Sequence, residues 1–264
     1  MAKVLKEEIE SINALSSLVY IMTVKSGHIA SCSLPGQFVN VRCCEGINVL
    51  LRRPISICGA DGNNGTFEIA FRVKGTGTGL LAKMEPGMKI DLVGPLGTPF
   101  DTDPRYGRIA VIGGGIGVFP LLYLLRNSTA AKKDAFLGFR NREAVVLQRE
   151  FAGAADRIYL STDDGSAGYG GLVTDLFEKM LDEGKYDIVY ACGPEPMMKR
   201  TVDAASSHGI LCQVSLEQRM GCGLGACLVC ACKTRDGDGW RYSRVCKDGP
   251  VFWGNEVIFD REGV

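Results

Sequence analysis

This sequence offers little to attract a nucleic acid or a membrane. Its 30 lysines and arginines are matched by 30 aspartates and glutamates, so it has no net charge and no general basic field. The first residues, Met1-Ala2-Lys3-Val4-Leu5-Lys6-Glu7-Glu8-Ile9-Glu10, are charged and lack the apolar centre of an export signal. No apolar run suits a bilayer span: the longest, Ala110 to Leu125, is broken by Gly113, Gly114, Gly115, Gly117 and Pro120. Internal repeats and low-complexity tracts are missing too. A disulfide framework is disfavoured, because the cysteines number 11, an odd count, and Cys43 and Cys44 are adjacent. Free thiols without an export signal suit a reducing, cytoplasmic setting.

What is present is enough chain, 264 residues, for two or three packed units. Up to about residue 100 the pattern is of short strands. Phe67, Ile69, Phe71 and Val73 alternate on one face, and turns recur at Pro35-Gly36, Asp61 to Gly65, Pro86-Gly87 and Gly94 to Gly97. This predicts a small antiparallel barrel. From about 107 the pattern changes. Arg108 to Ile112 is a continuous apolar strand, Pro120 to Leu125 reads as helix, and Ala135–Phe139, Arg157–Leu160 and Asp187–Ala191 follow as strands with helices between several of them. That alternation predicts a parallel α/β unit. The tail after about 211 is rich in cysteine, with a hairpin turn expected at Thr234 to Gly239.

The most specific signal lies in that tail: Cys222-x4-Cys227-x2-Cys230-x15-Cys246. A C-x4-C-x2-C run with a distant fourth cysteine is the spacing of a plant-type [2Fe–2S] cluster. Gly221, Gly223 and Gly225 lie among the first ligands, where backbone N–H groups must turn toward sulfur. Structural zinc in an S4 site is the alternative, but such sites usually pair two C-x2-C knuckles and here only one pair has that spacing. Cys232 fits no ligand position.

Two glycine turns follow strands and open helices. Gly113-Gly114-Gly115-Ile116-Gly117-Val118-Phe119-Pro120 lets backbone approach a pyrophosphate at a helix N-terminus, although it lacks the G-x-G-x-x-G spacing. Cys192-Gly193-Pro194-Glu195-Pro196-Met197-Met198 is the second, and two such turns at strand C-termini bracket a ligand crevice. Thr162-Asp163-Asp164-Gly165-Ser166 either lines that crevice or is a plain Asp-Gly turn. In the barrel, Leu50-Leu51-Arg52-Arg53-Pro54-Ile55-Ser56-Ile57 sets arginines in an apolar run. Arg53 there is either a grip for phosphate or, on pattern alone, half of a solvated pair on an edge strand.

Together these motifs resemble the ferredoxin–NADP⁺ reductase superfamily, over nearly the whole chain and in the right order. The run Leu51 to Ile57 and the ending Cys246-Lys247-Asp248-Gly249-Pro250-Val251-Phe252 are similar to one branch, the electron-transfer subunits of type B dihydroorotate dehydrogenases. The resemblance implies a multidomain β plus α/β protein: an FAD-binding β-barrel over 1–101, an NAD(P)-binding α/β domain over 102–211 and a [2Fe–2S] domain over 212–264. It implies FAD contacts at Arg53, Pro54, Ile55, Ser56, Ala70, Phe71, Arg72, Gly77 and Thr78, with the last two at a helix start. Nicotinamide dinucleotide contacts fall at Gly113, Gly114, Gly115, Gly117, Cys192, Gly193 and Pro194, and cluster ligands at Cys222, Cys227, Cys230 and Cys246. NAD is then a diffusible co-substrate. The partner is an FMN-containing dihydroorotate dehydrogenase catalytic subunit, two of each chain forming a heterotetramer, and this chain alone does not oxidise dihydroorotate. Leu224, Leu228, Val229 and the stretch Pro250-Val251-Phe252-Trp253 suggest a docking face, or else the small core of the cluster domain. Arg140 and Arg142, after the strand ending at Phe139, either suit the 2′-phosphate of NADP or are solvated. Rival readings are an NAD(P)H–ferredoxin oxidoreductase or hydrogenase diaphorase subunit, and a non-catalytic zinc-stabilised binding protein. The transhydrogenase branch often has aspartate as first ligand, so Cys222 counts against it.

Overall fold

The computed structural model describes residues 2–46, 49–181 and 185–259. Residue 1 and residues 260–264, at the ends of the first and last expected units, lie outside the described residues.

Alternation of apolar and polar residues closes the first part into a barrel. Strands β1 (Lys3–Ala14), β2 (Val19–Lys25), β3 (Phe38–Arg42), β4 (Arg53–Asp61), β5 (Thr66–Arg72) and β6 (Lys89–Leu96) pair in the order β1-β2-β5-β4-β3-β6, all antiparallel. Phe67, Ile69 and Phe71 fill its interior with Val39, Val41, Ile55, Ile57, Ile90 and Leu92, as strand periodicity requires. Two short helices attach to it, α1 (Gly27–Cys32) and α2 (Thr76–Leu81). The apolar run before Ser56 is less of a strand than its composition suggests. Pairing starts at Arg53, and Leu50 and Leu51 are exposed in the preceding loop.

The second part is a seven-stranded sheet. Its strands are β7 (Arg108–Gly114), β8 (Lys132–Phe139), β9 (Arg157–Thr162), β10 (Tyr169–Gly170), β11 (Ile188–Cys192), β12 (Leu211–Ser215) and one from the far end of the chain. The order is β10-β9-β8-β7-β11-β12 with parallel pairing throughout. Helices cover both faces, so Ile109 to Ile112 is buried without alternation. Helix α3 (Val118–Asn127) lies on one face with the small α4 (Gln148–Ala152), and α5 (Val173–Leu181) and α6 (Glu195–Ser207) on the other. Strand order reverses between β7 and β11, which leaves a crevice at their C-terminal ends.

The tail forms the hairpin β13 (Ala231–Asp236) and β14 (Gly239–Arg244), turning where expected, and then β15 (Val251–Trp253). Strand β15 is the seventh strand of the sheet, antiparallel to β12. The sheet therefore draws strands from both sides of residue 211. Val251 and Phe252 are buried and Trp253 half-buried in this pairing, so the apolar stretch after Pro250 serves the sheet and is no docking face.

The barrel joins the sheet through buried polar contacts. The Tyr123 hydroxyl on α3 donates to the Ser33 carbonyl at 3.0 Å, and the Tyr190 hydroxyl on β11 to the Asp101 carbonyl at 2.7 Å. No helix among the described residues is long and apolar enough to cross a membrane.

Candidate functional site: a barrel corner, a glycine crevice and a cysteine loop

Arg53 opens β4 beside the start of α2. A Cβ on Gly77 would lie 3.2 Å from Arg53 Nε, so the guanidinium rests on bare backbone there. Its Nη1 donates to the Leu51 carbonyl at 2.6 Å, which steadies it at this corner. Thr78 turns its hydroxyl inward: Oγ1 accepts from the backbone N–H of Lys74 at 2.9 Å and of Gly75 at 3.3 Å. What Thr78 offers outward is backbone, at a helix start flanked by a cation. Pro54 and Ser56 lie on the outer face of β4, while Ile55 points into the barrel core. Phe71 is also interior, stacked on Tyr20 at a centroid distance of 5.9 Å. Ala70 faces the sheet core, and only Arg72 of that trio is exposed.

The two glycine turns interlock. Cys192 pairs with Gly113 across β11 and β7. A Cβ on Gly117 would collide with the Cys192 carbonyl, and one on Gly114 would lie 2.7 Å from the Pro194 ring. Gly193, at φ +156°, would bring a Cβ 2.9 Å from the Gly114 nitrogen. Glycine is thus demanded by backbone meeting backbone at the crevice floor. β5 of the barrel packs against the Gly115–Gly117 turn, so the crevice opens beside the barrel. Burial pushes the Cys192 thiol up to about 12, keeping it protonated at neutral pH. Thr162 to Ser166 is held within its own loop: Asp164 Oδ1 accepts from the Ser166 hydroxyl at 2.6 Å, and Ser166 Oγ accepts from the Arg142 N–H at 2.8 Å. Arg142 Nε also donates to the Ser166 carbonyl at 3.0 Å, while Arg140 is exposed.

The cysteine loop is built from N–H groups aimed at sulfur. Leu224 and Ala226 donate to Cys222 Sγ at 3.3 Å each, Gly225 to Cys246 Sγ at 3.1 Å, and Cys222 to Cys227 Sγ at 3.4 Å. The backbone N–H of Leu224, foremost, pulls the Cys222 thiol down to about 6, as donors favouring thiolate should. Burial holds Cys246 up at about 12. Outside the loop, Arg244 Nη1 donates to the Gly225 carbonyl at 3.0 Å, and its Nε pairs with Asp248 at 3.0 Å. That ion pair holds the Asp248 carboxyl below the usual carboxylate range. Cys230 and Cys246 sit in one buried cluster with Phe38 from the barrel and Phe252 from β15.

A family model described as the iron-sulfur cluster binding domain of dihydroorotate dehydrogenase B matches residues 217–258, and an oxidoreductase NAD-binding domain matches residues 111–203. A dihydroorotate dehydrogenase B (NAD(+)) electron transfer subunit from Caldanaerobacter subterraneus subsp. tengcongensis is 40% identical over 97% of this chain and 98% of that one. The chain belongs to this family. The same subunit from Geobacillus thermodenitrificans is 41% identical over 92% of this chain and 94% of that one. Among solved structures, one described as an NADH-dependent reduced ferredoxin-NADP oxidoreductase aligns at TM-score 0.84 and 31% identity over 98% of this chain and 92% of that one. A ferredoxin NADP⁺ reductase from Neisseria gonorrhoeae, at TM-score 0.65 and 19% identity over 79% of this chain and 93% of that one, shares the fold.

The iron–sulfur match overturns the zinc-stabilised alternative, and the geometry of the cysteine loop agrees. Backbone N–H groups reach all four sulfurs within 3.4 Å, which fits a centre of anionic thiolates. Cys232 stands apart, its thiol pushed up to about 11 by burial. One residue at this site had no signal in the sequence. Asn40 on β3 donates from Nδ2 to the Cys222 carbonyl at 3.3 Å, joining barrel to cysteine loop. A lone asparagine in an alternating strand reads as a surface residue, and only tertiary packing distinguishes it.

Proposed function

We propose that this chain carries electrons between NAD and a partner subunit that oxidises dihydroorotate at FMN, in the cytoplasmic synthesis of pyrimidines. The observation that carries the reading is the contact of the cysteine loop with the barrel face that bears Pro54 and Ser56: Asn40, opposite Pro54 on that face, donates to the Cys222 carbonyl at 3.3 Å. When bound, FAD supplies the exchange between a hydride and single electrons, and the [2Fe–2S] cluster supplies transfer of electrons one at a time.

Each group of residues has its proposed part. Arg53 holds the FAD phosphates together with the backbone of Gly77 and Thr78, and Pro54, Ser56 and the backbone of Ile55 bed the flavin, with Arg72 and the backbone of Ala70 and Phe71 at its edge. Gly113, Gly114, Gly115 and Gly117 admit the dinucleotide, while Cys192, Gly193 and Pro194 close the far side of its crevice. Cys222, Cys227, Cys230 and Cys246 ligate the cluster. In these terms residues 1–101 serve the flavin, 102–211 the nicotinamide and 212–264 the cluster. Arg142 is engaged with Ser166, which withdraws one of the two nearby arginines from a 2′-phosphate and supports NAD over NADP.

Cys227 is exposed at the tip of the loop, ringed by Leu224, Leu228 and Val229, each more than half exposed. Apolar side chains beside an open redox ligand support a docking face for the partner. The partner is the FMN-containing catalytic subunit, in a heterotetramer with two of each chain. Dihydroorotate loses two electrons and two protons there, NAD⁺ gains two electrons and one proton, and the second proton is released.

Reconstitution tests this. Adding the FMN-containing subunit to the loaded chain should create NAD⁺-dependent dihydroorotate oxidation that neither shows alone. Coupling to ferredoxin instead, with none to that subunit, would favour the reading suggested by the likeness to the ferredoxin-NADP oxidoreductase. Stopped-flow reduction of the bound flavin should be faster with NADH than with NADPH.

A further inference from the structure

We infer that Asn40 is a positioning residue that ties the cysteine loop to the flavin face of the barrel and so fixes the cluster relative to the flavin; the inference rests on the cofactor reading above. Asn40 lies mid-strand and is 1% exposed. Its neighbours Val39 and Val41 point into the barrel, so its side chain points outward. Across the ladder it faces Pro54, and Phe38 faces Ser56. Directly opposed residues share a face, which puts Asn40 beside the very residues proposed to bed the flavin.

A buried carboxamide is costly unless both its ends are satisfied. Here only one end is. Nδ2 donates to the Cys222 carbonyl at 3.3 Å, while Oδ1 has no partner among the described residues. The amide cannot simply be turned, because Oδ1 would then meet a carbonyl that only accepts. Oδ1 therefore remains to accept from a donor bound on the Pro54–Ser56 face.

The loop is shaped for this contact. A Cβ on Gly223 would collide with Asn40 Nδ2, and Gly223 has φ +72°. The strand is braced behind it as well. Arg52 Nη1 donates to the Asn40 carbonyl at 3.4 Å, and the same guanidinium pairs with Asp91 at 2.7 Å. Asn40 is thus held by its backbone on the barrel and by its side chain on the peptide that carries the first cluster ligand.

The test uses the full chain loaded with FAD and cluster, as parent, Asn40→Ala and Asn40→Asp. The aspartate has the same size but sets an acceptor against the Cys222 carbonyl. Iron, sulfide and flavin contents are measured, with the electron paramagnetic resonance spectrum of the reduced cluster and, by stopped flow with NADH, the ratio of cluster-reduction to flavin-reduction rates. Both variants should shift the spectrum and lower the ratio, on the order of tenfold, since one hydrogen bond that positions the loop is lost. Gly223→Ala, pressing on the same contact from the loop side, should do likewise. If Asn40→Ala does not fold, the isosteric Asn40→Asp and the Gly223→Ala variant decide. Variants with full cofactor content and the parent's spectrum and rate ratio would overturn the inference alone. A parent showing neither flavin nor iron–sulfur absorption after loading would overturn the cofactor reading along with it.

Discussion

The glycine crevice and the cysteine loop use the same residue type for opposite ends. At the crevice, Gly117 and Gly193 exist because another stretch of backbone occupies the place of a side chain. That constraint holds whether or not a ligand is bound. In the loop, Gly225 turns its N–H to Cys246 Sγ at 3.1 Å, and Gly225 and Gly223 take φ of +83° and +72° to do so. The N–H groups so aimed favour sulfurs that carry charge. One glycine set is a joint of the fold, and the other is a cradle for an anionic centre. Substitutions should separate the two, affecting stability in the first and iron retention in the second.

The sharpest separation is expected from Cys227→Ser, which should abolish the iron–sulfur absorption while flavin binding persists, because a thiolate ligand is lost. Full iron and sulfide in this variant would remove the cradle side of the comparison. Next, Arg53→Ala should weaken flavin binding by about 1.5–3 kcal/mol, the scale of a hydrogen bond to a charged group. Flavin occupancy after exhaustive dialysis measures it, with iron content as the internal reference. Gly117→Ala should lower stability by about 1–3 kcal/mol through overpacking against the Cys192 carbonyl. A denaturant midpoint equal to the parent's would show that the joint yields more easily than its geometry implies. The smallest effect belongs to Cys232→Ser. This thiol is kept neutral by burial and lies outside the proposed ligands, so iron, sulfide and flavin should all match the parent.

Much of this could be read from the chain because the chemistry is local. Alternation in Phe67 to Phe71 and the unbroken run Ile109 to Ile112 carry their own periods, and the cysteine spacing reflects one loop around one centre. What escaped was set by partners distant in sequence. Pro250 to Trp253 is as apolar as a docking face, and nothing nearby says that Val251 to Trp253 pair with Gln213 to Ser215. The exposure of Leu50 and Leu51 is likewise invisible in a run that looks like one strand. Ala70 and Phe71 fit the flavin motif by type, yet their side chains are packed into the two cores. Asn40 acquires its meaning from Cys222, which six of the seven sheet strands separate from it in sequence.

The pairing of β12 with β15 has a consequence for how iron enters and leaves. Residues 216–250 are strung between two strands that are hydrogen-bonded side by side, so the loop that carries the four proposed ligands is already closed at its base. The entropy of loop closure, which grows with the logarithm of loop length, is then met by the sheet and not by the metal. Apo-protein should keep its dinucleotide crevice, hold its thiols at high effective concentration and take up iron and sulfide in place, so that assembly of the cluster becomes a repairable step in the life of a folded molecule.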